Sequence, residues 1–360
     1  MRLTAMCAAL AVMSCGKKDA QDKPAPGSAV GSAAHPEAAH PDAAPPPAKF
    51  ATPEAKLQRY QSCLADFNAN KDSYASCFAK DAVREQMDNV PELVVKGADK
   101  ISDAAKAQHA SYPDLVVTPT LVIASGSDVI AILYVTGTNT GNVEELAATG
   151  KKIGLFEGER VTISDDGSIT HDRIYADQPT IYHQLGLVPN DTSPAAKPRK
   201  LDPVVTLTAA NNSAEAANKT LIEANLAAIS QRNVQSVVAS AAPNIQLVYH
   251  GDKQKVATKK AFQAWLDDSV KSTSDGKVTI EHAWTAGDYV VVEDTFTGTP
   301  SEAIAGKGAA KKIESHVLEF FRVTGGKLVE QQIFGNRLKV AVDLGMIDPA
   351  ELADTLSKHK

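Results

Sequence analysis

Apolar and polar positions alternate with two different periods along the chain, and the change of period predicts where helices give way to strands. Residues 54–69 have apolar side chains at helical spacing (Leu57, Tyr60, Leu64 and Phe67), and 72–79 and 97–109 predict shorter helices with a strand-like stretch between them. Four segments separated by turn residues then predict antiparallel strands at 115–124, 129–138, 152–164 and 168–176. A short helix reaching Gly186 closes the unit, and this order is typical of the α+β class.

This unit occurs twice. The segment His171-Asp-Arg-Ile-Tyr-Ala-Asp177 matches Glu330-Gln-Gln-Ile-Phe-Gly-Asn336, each followed at the same distance by Leu-Gly, and Lys-Lys-Ile at 151–153 recurs at 311–313. The second copy predicts helices at 213–230, 233–240 and 257–272 and strands near 277–284, 288–298, 311–323 and 327–335. Two copies are too few for a solenoid, so we expect two domains with separate cores, 52–189 and 211–360, joined by a linker at 190–210.

The N-terminus predicts export. Residues 3–13 are an apolar run too short to span a bilayer, so 1–14 indicate a signal peptide. The run ends in Val12-Met-Ser-Cys15-Gly16, which resembles the lipobox of bacterial lipoproteins; this implies a lipid on Cys15 that anchors the protein in a membrane. Gly16 directly after this cysteine favours sorting to the outer membrane, so we expect the protein to face the periplasm or the cell surface. Residues 15–51, rich in Ala and Pro, predict a disordered stalk beyond the lipidated Cys15. An ordinary secretory leader or a wrongly assigned start codon are the alternatives.

Charge and cysteine usage narrow the function classes. A formal net charge of −6 without a Lys/Arg stripe argues against a nucleic-acid partner. We expect no metal and no cofactor, because the sequence has neither metal-ligand spacing of Cys and His nor a phosphate-binding glycine loop. Cys63 and Cys77 are the two cysteines of the folded part. In an oxidising compartment they form a disulfide, or they remain two buried thiols.

The two units resemble the SnoaL-like branch of the nuclear-transport-factor-2-like superfamily. The resemblance covers about 52–189 and 211–347, through Tyr112-Pro-Asp-Leu115 and Gly137-Thr-Asn-Thr-Gly141 in the first unit and Phe296-Thr-Gly-Thr299 in the second. It implies two tandem cone-shaped α+β barrels, each with N-terminal helices packed on a curved antiparallel sheet and an interior open at one end.

Candidate chemistry lies in the last strand of each unit. Strand alternation places His171, Arg173, Tyr175 and Asp177 on one face, which we expect to line the cone. The resemblance implies that Asp177 is a general acid/base. We expect His171 or Tyr175, on the same face, to be its catalytic partner; the alternatives are a solvated polar face and a helix cap at Asp177. In the second unit the matching residues are Glu330, Gln332, Phe334 and Asn336. We expect these four residues, together with Arg173 and Tyr175, to bind ligand.

Three functions follow from this pattern. The favoured one is a non-catalytic protein whose cones bind a small apolar molecule or a protein partner, because the amide of Asn336 cannot exchange a proton where Asp177 could. The alternative is a cofactor-independent enzyme of the polyketide-cyclase, isomerase or hydratase kind that uses Asp177. The third is a homodimer formed through the outer faces of the sheets.

Overall fold

The structure is a computed structural model that describes residues 49–87, 93–143, 145–188, 194–196, 199–253, 255–301 and 312–359. The predicted signal peptide, Cys15 and nearly all of the predicted stalk lie outside these residues. Within this part of the chain, no helix is long and apolar enough to cross a bilayer.

The first domain places four helical segments against a seven-stranded sheet. Its elements are α1 (Pro53–Asn68), a short 3₁₀ helix (Asp72–Cys77), β1 (Phe78–Gln86), β2 (Leu93–Lys96), α2 (Ala98–Ser111), β3 (Val116–Ser125), β4 (Asp128–Thr138), β5 (Lys152–Ile163), β6 (Ile169–Tyr175), α3 (Gln178–Leu185) and β7 (Val205–Thr208). The strand order is β2-β1-β6-β5-β4-β3-β7. The apolar spacing that predicts α1 also gives the helix one buried face, which carries Tyr60, Cys63 and Phe67.

The second domain repeats this arrangement. Its elements are α4 (Ser213–Ser230), α5 (Val234–Ser240), β8 (Ala241–Tyr249), β9 (Lys255–Val256), α6 (Lys259–Ser272), β10 (Lys277–Ala286), β11 (Tyr289–Gly298), β12 (Ile313–Thr324), β13 (Lys327–Gly335), α7 (Arg337–Asp343) and α8 (Pro349–Ser357). The strand order is β10-β11-β12-β13-β8-β9. The predicted α+β class and the tandem repeat are confirmed, although neither sheet closes into a barrel in the described part of the chain.

Four elements depart from the sequence prediction. Strands β1 and β8 each run parallel to the last long strand of their own domain, β6 and β13. Strand β7 lies inside the predicted linker and pairs in parallel with β3. Helix α8 extends the second copy beyond its predicted closing helix. These elements are short or depend on pairing with distant residues, so local periodicity carries little signal for them.

The outer faces of the two sheets pack against each other. A third apolar cluster, separate from the cores of the two domains, joins Ile123 and Ile130 of the first domain to Val291, Phe320 and Phe334 of the second. At Gly158 on β5, an added Cβ would lie 3.0 Å from side-chain atoms of both Leu318 and Phe334, so the missing side chain allows the sheets to approach closely. The faces predicted to pair two copies of the chain are therefore in contact within one chain.

The C-terminal segment crosses from the second domain into the core of the first. Leu338, Leu352 and Leu356 are buried in the same apolar cluster as Tyr60 and Val135 of the first domain. The backbone N–H of Ala147 also donates to the carbonyl of His359 (2.9 Å). The first domain thus depends on residues that follow the sheet of the second domain for part of its core.

A disulfide joins Cys63 in α1 to Cys77 at the end of the 3₁₀ helix, with Cα atoms 5.9 Å apart. Of the two alternatives that the sequence left open, the structure contains the bridged one. The bond links two helical elements that border the interior of the first domain.

Candidate functional site

The first domain encloses a cavity of about 160 Å³ between its helices and the inner face of its sheet. Its walls are mostly apolar, with Leu64 and Phe67 on α1 and Leu133, Val135 and Leu155 on the sheet. An apolar cavity of about 150 Å³ can hold a molecule as small as benzene, so this cavity has room for one small, mainly apolar molecule.

Glu159 is the first polar group of this cavity. It lies on β5, faces the cavity and accepts a hydrogen bond of 2.5 Å from the hydroxyl of Tyr60 on α1. Burial, and then the negative charge of Asp172, raise the pKa of Glu159 to about 8. The side chain is therefore mostly protonated at neutral pH and can donate a proton inside an apolar space.

An ion pair lies beside Glu159. Arg84 on β1 contacts the Asp172 carboxylate on β6 with its Nε (2.7 Å) and donates through Nη2 to the hydroxyl of Tyr74 (2.6 Å). Arg84 and Asp172 are both almost fully buried, and burial raises the pKa of Tyr74 to about 12. A buried charge network costs stability unless every member is paired, so its presence in an otherwise apolar cavity points to a chemical role.

The second domain retains one of these groups. Glu319 on β12 pairs with Ile333 as Glu159 pairs with Ile174, and burial raises the pKa of Glu319 to about 7. Gln331 donates to Glu319 (2.5 Å) and occupies the register position that Asp172 has in the first domain. Opposite Gln331 stands Leu247.

The second cone therefore keeps the protonatable carboxyl without the buried arginine. A second carboxyl, Asp294, is also buried there, and burial followed by the charge of Glu319 raises its pKa well above the usual range.

The predicted orientation of the last strand of the first domain is wrong. His171, Arg173 and Tyr175 lie on the outer face of the sheet, where Arg173 contacts Glu85 (2.7 Å) and Glu293 of the second domain (3.1 Å). The Tyr175 hydroxyl donates to Glu293 (2.6 Å), and His171 contacts Glu85 (2.9 Å). Arg173 and Tyr175 thus join the two domains, whereas His171 contacts a strand of its own domain. None of the three lines the cavity, so His171 is not placed for catalysis there.

Asp177 and Asn336 both cap helices. Asp177 accepts the backbone N–H of Thr180 at the start of α3 (3.0 Å) and binds Arg337 through two hydrogen bonds of 2.8 and 2.7 Å. Asn336 caps α7 and donates to the carbonyl of Met87 in the first domain (2.7 Å). The structure thus gives Asp177 the capping role that the sequence left as an alternative, outside the cavity.

The remaining predicted ligand-binding residues of the second domain also face outward. Phe334 stacks on His250 with ring centres 4.1 Å apart, and Gln332 bonds to the same ring (2.9 Å). Glu330 lies 3.7 Å from Arg322 across the strand pair. Polar residues occupy both faces of β6 and β13, so alternation alone could not decide which face lines the cone.

Glu159 was missed although the sequence carries a signal for it. The Lys-Lys-Ile match at 151–153 and 311–313 places Glu159 opposite Glu319 in the alignment of the two copies. A carboxyl that recurs at one position of a duplicated strand, with apolar residues around it, is a candidate for the interior. Among the described residues, no group of three or more His, Cys, Asp and Glu side chains could hold a metal ion.

The fold and the cavity define a class of protein: an α+β cone with an apolar cavity beside a buried acid. The family model of the SnoaL-like polyketide cyclases matches residues 55–185 and 219–344. The chain therefore belongs to the SnoaL-like polyketide cyclase family, with two tandem SnoaL-like domains. No curated protein matches the chain.

Solved structures resemble parts of the chain. One, assigned as a SnoaL-like polyketide cyclase from Jannaschia sp. CCS1, is 17% identical, with a TM-score of 0.35 over 37% of this chain and 94% of its own. AclR from Streptomyces galilaeus, assigned as a hydroxylase, is 20% identical (TM-score 0.34; 37% and 99%). An epoxide hydrolase of the LEH-like kind from M. tuberculosis is 14% identical (TM-score 0.32; 37% and 92%).

Proposed function

We propose that the first domain is a cofactor-independent enzyme that binds a small, mainly apolar molecule and transfers a proton through Glu159. The observation that carries this proposal is a carboxyl with a pKa of about 8 on the wall of an apolar cavity, hydrogen-bonded to Tyr60 and beside Asp172. An acid is most effective when its pKa lies near the working pH.

Glu159 and Asp172 act together in this proposal. Two carboxyl groups that lie close in a buried site hold one proton between them, so the pair can both donate and accept a proton. Arg84 keeps the negative charge of Asp172 in place, and Tyr60 orients Glu159. The fitting substrate is a small molecule with one carbonyl or epoxide oxygen, which would accept the Glu159 proton, on an apolar body that fills the remaining cavity.

Proton transfer is tested directly with two probes, cyclohexanone in D₂O and cyclohexene oxide. NMR measures deuterium uptake at the carbon beside the carbonyl, and gas chromatography measures opening of the epoxide. We expect Glu159→Gln to lower the rate of whichever reaction the protein accelerates by roughly 10²- to 10⁴-fold. The matched control is Glu319→Gln, which changes the same register position in the second cone and leaves the rate unchanged. An accelerated rate that Glu159→Gln leaves unaltered would refute the role of Glu159.

Non-catalytic binding is the second candidate, favoured by the apolar walls of the cavity. In that case Glu159 donates a hydrogen bond to a stored or transported molecule. The same variants separate the two functions. NMR titration measures whether p-cresol binds to the wild type and whether Glu159→Gln weakens that binding. A wild-type protein that binds p-cresol in this way but accelerates neither reaction is a binding protein.

We also propose that the protein is exported and held in a membrane by lipid on Cys15. The apolar run and the residues around Cys15 support this, and the stalk at 16–51 would hold the domains away from the bilayer surface. Expression in a Gram-negative host with an alkyne analogue of palmitate tests it. We expect label and membrane fractionation for wild type and for Cys7→Ser, and loss of both for Cys15→Ser. A labelled Cys15→Ser protein would contradict the proposal.

A further inference from the structure

The polar network of the first cone ends on two tyrosines, and the elements that carry them are covalently joined. Tyr60 lies three residues before Cys63 in α1, and Tyr74 lies three residues before Cys77 in the 3₁₀ helix. Residues three apart in a helix project from the same face. The disulfide therefore lies one helical turn from each hydroxyl-bearing side chain, on the face that looks into the domain.

Each tyrosine holds one half of the network. The hydroxyl of Tyr60 donates to Glu159, while Tyr74 accepts from Arg84, the partner of Asp172. The Cα atoms of the two cysteines are 5.9 Å apart. The bond thus limits the movement of one tyrosine relative to the other, and with it the movement of Glu159 relative to the ion pair.

The second domain has a hydrogen-bonded pair at the positions that correspond to the disulfide. Ser240 directly precedes β8, as Cys77 precedes β1, and the first residues of the two strands pair at matching positions. Ser240 accepts a hydrogen bond of 2.9 Å from Asn225 in α4, so an Asn–Ser pair replaces the disulfide. Three residues before Asn225 and Ser240 stand Ile222 and Val237, both buried.

The two copies thus differ in the disulfide and in the buried polar residues around it together. The copy with the disulfide has the two tyrosines, the arginine and the ion pair, whereas the copy with the Asn–Ser pair has apolar residues in place of the tyrosines and Leu247 opposite Gln331. A bond that served only to stabilise the fold in an oxidising compartment would be equally useful in both copies.

We propose that Cys63 and Cys77 are positioning residues, whose disulfide holds the Tyr60 and Tyr74 hydroxyl groups in register with Glu159 and Arg84. This inference rests on the proton-transfer function proposed for the same cavity. Pre-organised donors accelerate proton transfer because they need not reorient during the reaction.

The test uses the full chain with ¹³C-labelled tyrosine and NMR detection of hydroxyl protons that exchange slowly with water. Tyr60→Phe and Tyr74→Phe each remove one signal and thereby assign it. Cys63→Asn with Cys77→Ser transplants the pair of the second domain into the first. We expect both hydroxyl protons to exchange at least about tenfold faster in this variant, because local opening becomes easier. The matched control, Asn225→Ala, breaks the corresponding pair of the second domain and leaves both signals unchanged.

Unchanged exchange of both hydroxyl protons in the transplant variant would overturn the proposal, even if its overall stability falls. If the variant does not fold, the same signals are compared in folded wild-type protein before and after reduction with TCEP, and equal exchange there also overturns it. Failure of the proton-transfer function is a separate result, because it is read from the Glu159→Gln rate and not from the hydroxyl signals.

Discussion

Replacing Glu159 by Gln changes how stability depends on pH, and this dependence follows from the burial of one carboxyl. Gln has nearly the same shape, and its carbonyl can still accept the Tyr60 hydroxyl, so the substitution removes the titration with little change in packing. The pKa of Glu159 rises from the ordinary value of 4.5 to about 8 in the folded protein. The unfolded chain therefore releases this proton at a lower pH than the folded chain does.

The two pKa values of Glu159, in the unfolded and the folded chain, fix the direction in which stability changes with pH. Below pH 4.5 both states hold the proton, and Glu159 does not weaken the fold. Between 4.5 and about 8 only the folded state holds it, so stability falls as the pH rises. Each pKa unit corresponds to about 1.4 kcal/mol. Between pH 5 and pH 9 the wild type should lose about 4 kcal/mol of unfolding free energy through this group, and Glu159→Gln should not.

Urea denaturation of both proteins at pH 5, 7 and 9 measures this difference. Subtracting the two curves cancels the contributions of the titrating groups that do not interact with Glu159, such as Glu319, and leaves that of Glu159 with its neighbour Asp172. We expect Glu159→Gln to gain about 3 to 5 kcal/mol relative to wild type between pH 5 and pH 9. A difference that stays constant with pH would show that Glu159 titrates like an exposed carboxyl, and the argument for a buried acid would fail.

Two further substitutions and one truncation test the structural roles of residues outside the cavity. Asp177→Asn weakens the two-bond contact with Arg337 and should cost about 3 kcal/mol in urea denaturation; equal stability of wild type and variant would contradict the burial of this pair. Gly158→Val should cost about 1 to 3 kcal/mol and speed proteolysis between the domains, because the sheets have no room for its side chain; an unchanged cleavage rate would count against close sheet packing. Truncation after residue 348 removes Leu352 and Leu356 and should destabilise the first domain by about 3 to 6 kcal/mol in hydrogen-exchange measurements; if only second-domain amides lose protection, the crossing is wrong.

Local periodicity predicted most elements of the fold. The helix at 213–230 and the strand at 327–335 agree with α4 and β13 to the residue, because their apolar positions, caps and turns all lie within a few residues of one another. Strand β7 and the parallel pairs of β1 and β8 depend on contacts between distant segments. No local pattern marks them.

The site was harder to predict because it depends on which face of a strand is inside. A shift of one position moves every side chain to the other face, and on β6 Asp172 and Arg173 are both charged. The outer face of β6 is also covered, since Arg173 and Tyr175 contact Glu293 of the other domain. Burial on both faces removes the usual contrast between a polar outside and an apolar inside. The recurrence of a glutamate at 159 and 319 does not depend on that contrast and was the better guide.

The crossing of the C-terminal segment has a consequence for biosynthesis. Leu338, Leu352 and Leu356 belong to the core of the first domain, yet they leave the ribosome only after the strands of both sheets. The first domain cannot reach its final state before residue 356 has been synthesised, so the two domains do not mature one after the other. A nascent chain that stalls before residue 349 would lack Leu352 and Leu356 and would expose an incomplete core of the first domain to chaperones and proteases.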